Sequence, residues 1–197
     1  MKKGLWIVLG ALVGIVVLGF AFFGGTYNGL VKADEQVNQA WAQVENVYQR
    51  RLDLIPNLVE TVKGYAAHEK STFVEVTEAR AKAAGSISPG VINDPQKFAQ
   101  FQESQTALSS ALSRLMVVVE KYPDLKANEN FLALQAQLEG TENRISVERG
   151  RFNEAAQAFN TKFRQFPTNM IGGIFGFKTK EYFKAEPTAS KAPKVQF

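Results

Sequence analysis

The 197-residue sequence contains no cysteine and a single histidine, His68. Without cysteine there are no disulfides, no thiolate metal ligands and no cysteine nucleophile, and the redox compartment stays open. With one histidine the zinc-helix pattern, two histidines four residues apart, fails at once, because the fourth residue after His68 is Thr72. A Ser-His-Asp arrangement would have to use His68, and no serine stands in a strand-to-helix elbow or beside a glycine-rich oxyanion loop. A phosphate-cradling GxxxxGK[ST] loop is missing, and so is any strand-like alternation. These absences lead us to expect no enzyme, no cofactor, and no catalytic, cofactor-binding or metal-binding residues.

A concentrated basic face is also lacking. The net charge is +4, but residues 1–25 hold Lys2 and Lys3 with no acid, and residues 178–197 hold five lysines against Glu181 and Glu186. The stretch 26–177 is therefore close to neutral, which argues against nucleic acid as a partner.

What the chain does have is a long apolar opening. Leu5 to Phe23 is a charge-free run of 19 residues, about 28 Å as a helix, close to the thickness of a bilayer core. It ends in FAFFGG, with phenylalanines where a signal-peptidase site needs small residues. Residues 1–25 are thus predicted to be an uncleaved transmembrane signal-anchor. Lys2 and Lys3 precede the span, so the positive-inside rule puts the N-terminus in the cytoplasm and the rest of the chain outside. Gly10 and Gly14 form a small-xxx-small pattern, a candidate contact between two spans.

From Thr26 to Ala84 the periodicity is helical. Val37, Val44, Arg51, Leu58 and Tyr65 fall at heptad position a, and Trp41, Tyr48, Ile55, Val62 and Glu69 at d. The apolar face is narrow before Leu52 and broad after it. In the middle stands QRRLDLIPNLV, whose Pro56 removes a helical hydrogen bond. Asp53 can cap a new helix with Pro56 in its first turn, which makes Arg50, Arg51, Asp53 and Pro56 a predicted structural pivot, either a kink or a break. Arg51 sits in the seam and so requires a charged or polar partner.

Ala84 to Pro95 is rich in turn residues and reads as a loop. Asp94-Pro95 opens the next helix, with Phe98, Phe101, Leu108, Leu112, Leu115, Val119 and Tyr122 inward. Pro123-Asp124 starts the last, which buries Phe131, Leu134, Leu138, Ile145, Phe152, Ala156, Phe159 and Phe163 and stops before Pro167. The expected fold is all-α: a transmembrane helix, then an antiparallel up-and-down bundle of long helices. There are four if the first divides near Pro56, or three if it is only kinked there. The expected organisation is an anchor over 1–25, a helical bundle over 26–168, and an apolar glycine-rich loop with a basic extended tail over 169–197. In that loop Ile171, Ile174, Phe175, Phe177 and Lys178 either close the end of the bundle or meet a partner or the membrane.

Taken together, YNGLVKADEQVNQAWAQVENVYQRRLDLIPNLVETVKGYAAHE and the following TFVEVTEARAKA resemble the LemA family of bacterial membrane proteins. The carrying elements are Tyr27-Asn28 with Leu30-Val31, Ala40-Trp41, Gln49 to Val59, Tyr65-Ala66 with His68-Glu69, Phe166-Pro167 with Asn169, Gly176-Phe177, and the closing PKVQF. The resemblance spans essentially the whole chain. It implies a four-helix up-and-down bundle and brings no catalytic residue or cofactor with it. It also implies an association with envelope quality control. Two roles are then expected: a scaffold of the bacterial envelope that self-associates or holds a membrane partner, or an adaptor presenting clients to a membrane protease. The expected partners are membrane lipid, a second copy of the chain, and a membrane protease or other envelope protein.

Overall fold

The structure, a computed structural model, describes residues 2–88 and 90–184, with side chains from Trp6 onward apart from Val8. The PKVQF ending lies outside the described residues. Helix α1, Lys2–Lys63, is one helix of 62 residues, about 93 Å long at 1.5 Å per residue. Of the two alternatives at Asp53 and Pro56, a kink or a break, the chain takes no break. Asp53 caps nothing; it is exposed and accepts a hydrogen bond from Gln49 Nε2 at 2.7 Å.

Pro56 is tolerated inside α1 for a tertiary reason. Its missing N–H leaves the carbonyl of Leu52 without the helical donor four residues on. Arg80 of the next helix fills that place, its Nε donating to Leu52 O at 2.8 Å. The proline therefore marks a tie between two helices rather than a corner.

The corner comes at Gly64–Glu69. The amides of Tyr65 and Ala66 bond back to Val62 O at 3.1 and 2.9 Å, and buried Ala66 seals the end. His68 is exposed in this turn, and Tyr65 and Glu69, at a and d by register, leave the heptad seam with it. Helix α2, Lys70–Ser86, then runs back antiparallel to α1. Helix α3, Pro95–Val119, climbs again. The one-turn helix α4, Pro123–Lys126, precedes α5, Glu129–Arg164. The short helix α6 is Thr168–Ile174. Four helices thus pack up and down, and α5 returns to the membrane-proximal end, where Lys162 Nζ donates to Gly29 O at 2.8 Å.

The widening of the apolar face at Leu52 now has its cause. Helix α2 has 17 residues, about 25 Å, and covers only the distal half of the part of α1 that lies in the bundle, residues 26–63. Above Leu52, α1 must face α2 as well as α5, so more of its circumference is apolar. Two clusters follow. The distal one gathers Leu52, Leu58 and Val62 with Phe73, Leu108, Leu115 and Phe131. The proximal one gathers Leu30, Val37, Trp41 and Tyr48 with Phe98, Phe101, Phe152 and Phe159.

The loop between α2 and α3 is not idle. Its 3-10 turn, Val91–Asn93, buries Val91 and Ile92 in the proximal cluster. Asp94 caps α3 as expected, accepting from Gln96 N at 2.9 Å and Lys97 N at 3.2 Å with Pro95 in the first turn. The last helix starts later than Pro123-Asp124 suggested, because Asn128 is its cap and accepts from Phe131 N at 3.0 Å.

Candidate functional site

Arg51 lies at the junction of the two clusters and is 2% exposed. Its guanidinium donates to Gln105 Oε1 and, at 3.2 Å, to Ser109 Oγ of α3. It also pairs with Glu142 of α5 at 3.0 Å and stacks over the Tyr48 ring at 5.1 Å. Its Nε has no partner among the described residues. One side chain of α1 therefore ties α3 and α5 together halfway up the bundle. Arg50, its neighbour, is exposed and donates to Gln137 Oε1 at 3.1 Å. A cavity of about 310 Å³ opens beside Arg51, lined by Gln102, Gln105, Thr106, Arg149 and Phe183 among others.

Part of the wall of that cavity, Phe183 and Lys184, belongs to the end of an extended strap, residues 177–184. Helix α2 contributes no buried residue to the proximal cluster, and Phe183 of the strap joins that cluster instead. Two asparagines of α5 hold its backbone. Asn160 donates to Lys180 O at 2.9 Å and accepts from Lys180 N at 2.8 Å. Asn153 does the same for Phe183, at 3.0 and 2.9 Å. Seven helical residues rise about 10.5 Å, and three extended residues span about 10 Å, so the two pairs stay in register.

Strap side chains then anchor it. Buried Lys180 pairs with Asp34 at 2.7 Å, donates to Asn93 Oδ1 at 2.6 Å and lies over the Phe159 ring. Phe183 enters the rings of Trp41, Phe98, Phe101 and Phe152, and Arg149 covers it at 4.8 Å. The sequence predicts a basic extended tail here but not that it docks on the bundle. The available signal was the seven-residue spacing of Asn153 and Asn160 on an otherwise apolar face.

The membrane-proximal end divides the residues singled out in the apolar loop. Ile171 is buried, and Phe177 is half-buried with its ring against Tyr27 and Phe159. Ile174, Phe175 and Lys178 point outward. Gly172 is needed where α6 meets the bundle, since a Cβ there would stand 2.7 Å from the Phe163 ring and 3.1 Å from Leu30. Gly10 and Gly14 have open space around them, with nothing within 4 Å of an added Cβ. Among the described residues no three His, Asp or Glu side chains gather as a metal site.

These features define a helical-bundle protein carried on a single N-terminal helix long and apolar enough to cross a membrane. The family model described as LemA family matches residues 40–197, and the chain belongs to that family. Magnetosome proteins MamQ 1 and MamQ 2 of Paramagnetospirillum magneticum are each 29% identical over 198 aligned positions, covering 90% of this chain and 73% of theirs. Protein LemA of Metamycoplasma hominis is 24% identical over 159 positions, covering 80% and 69%.

Proposed function

We propose that the protein is a non-enzymatic, membrane-anchored scaffold of the bacterial cell envelope that assembles with further copies of itself. The observation that carries this is the continuity of α1, which leaves a membrane-length apolar segment and becomes the central helix of the bundle without a break. A partner bound to the bundle is thereby held in a fixed relation to the membrane. The open glycine face at Gly10 and Gly14 provides a place for a second span. Lys2 and Lys3 set the N-terminus in the cytoplasm, with the bundle on the outer side of the cytoplasmic membrane.

Light scattering on the detergent-extracted full-length protein tests the reading. A defined oligomer is expected, and a Gly10→Leu, Gly14→Leu variant locates the contact in the span or in the bundle. A monomer at all concentrations would overturn self-assembly.

A second reading, an adaptor that presents clients to a membrane protease, draws on the strap. Asn153 and Asn160 read extended backbone without regard to side chains, as a groove for client peptides would. A photocrosslinker at Lys184 would then capture a protease or its clients in cells, whereas the scaffold reading expects only copies of the chain.

A further inference from the structure

Outside residues 1–25, the described chain exposes ten large hydrophobic side chains, and four of them fall within ten positions: Phe166, Met170, Ile174 and Phe175. The other six are scattered singly over the bundle, which is ordinary for a folded surface. The cluster of four needs a covering.

Its height is set by α1. Gly172 packs against Leu30, and Phe175 lies on the Tyr27 ring at 4.6 Å, so α6 descends toward the span as it runs. Tyr27 is four residues beyond Phe23, the end of the charge-free run, and Leu30 is seven beyond it, about 6 and 10 Å at 1.5 Å per residue. The polar layer of a bilayer is roughly 5–7 Å deep on each side, and interfacial helices bury their apolar face about 5–10 Å into it. The exposed residues of α6 therefore stand at headgroup depth, beside the point where α1 leaves the membrane.

Charge agrees with that placement. From Ala155 to Lys180 there is no acid, while Lys162, Arg164, Lys178 and Lys180 are all basic. Arg164 and Lys178, on either side of α6, are exposed. Cations beside an apolar face at this depth meet anionic lipid favourably.

We infer that the lower end of α6, with Ile174 and the following Phe175, forms a foot that dips into the lipid headgroup layer of the leaflet from which α1 emerges. The foot gives the bundle a second attachment to the bilayer, directly beside the first, where Phe175 lies on Tyr27 and Gly172 on Leu30. The unbroken α1 sets the direction of the bundle relative to the span, and the foot sets how the base of the bundle meets the lipid. The inference stands apart from self-assembly, since a monomer would use the foot as well.

The absence of cysteine makes the test direct. Full-length protein carrying a single spin label at Ile174→Cys is placed in phosphatidylcholine–phosphatidylglycerol vesicles. Collision of the label with oxygen, which partitions into lipid, is compared with collision with a water-soluble nickel chelate. The control is Val117→Cys, also exposed but on distal α3. We expect the label at 174 to favour oxygen over nickel several-fold relative to the label at 117. Both positions have exposed side chains, so the fold survives the changes.

An aqueous signature at 174, matching that at 117, would overturn the foot. So would a label shielded from both reagents that shows spin–spin broadening, because a second copy of the chain would then be the covering.

Discussion

Replacing Arg51 by alanine is expected to lower the unfolding free energy by about 3 kcal/mol. Two effects add. Gln105, buried on α3, loses the donor to its carbonyl, which costs about 1–3 kcal/mol for an unsatisfied buried group. The removed stem also leaves a void between the two apolar clusters. For a chain of this size 1 kcal/mol moves the melting midpoint by about 2–4 °C, so a fall of about 6–12 °C is expected for the detergent-solubilised protein. Arg51→Met should recover at least half of the loss by refilling the space. Glu142→Gln should cost less than about 1 kcal/mol, because that carboxylate is 58% exposed and the pair is screened by water. If Arg51→Ala melted within 2 °C of the wild type, the arginine would not be the tie between α1, α3 and α5.

Phe183→Ala is expected to have an effect of the same size or larger, about 3–5 kcal/mol. The ring is nearly buried, and it contacts four other aromatic rings of the proximal cluster, including Trp41. Its loss opens the cavity beside Arg51 to the proximal core and lets water reach the Trp41 indole. In a Trp6→Phe background, which leaves Trp41 as the sole emitter, the fluorescence maximum should move to longer wavelength as the melting midpoint falls. The amide pairs of Asn153 and Asn160 hold the strap backbone in either case, so the variant should stay folded at low temperature. An unchanged emission and an unchanged midpoint would mean that the strap is not docked.

Much of the bundle could be read from the sequence because burial follows the heptad. Every a and d position from Val37 to Val62 is buried, Arg51 included. The corner was misplaced for a definite reason. Asp53 and Pro56 imitate a capped helix start, and what cancels the imitation is Arg80, far along the chain on another helix. No local reading sees that donor. The true corner at Gly64–Glu69 carries one glycine and no proline, a weaker signal than the false one.

The site divides in the same way. That Arg51 would be inside followed from register, but its partners Gln105, Ser109 and Glu142 are polar residues with no periodic mark. The strap stayed hidden because Lys180 and Phe183 sit in a polar, charged tail, and only the bidentate asparagines of α5 make them interior. In the apolar loop composition revealed that a surface was present. Only the fold of α6 tells Ile171 and Phe177, turned inward, from Ile174 and Phe175, turned outward with Phe166 and Met170.

The central claim is that one unbroken helix carries the bundle on the membrane. The measurement that tests it most directly is the distance between spin labels at Gln36→Cys and Glu60→Cys in the full-length protein, both at exposed positions of α1. Twenty-four residues of continuous helix separate the two Cα atoms by about 36 Å, and a distance distribution centred near that value is expected. A helix folded back at Asp53 would bring the labels within about 25 Å of each other. That result would contradict the account, and with it the rigid link between membrane and bundle on which the scaffold reading rests.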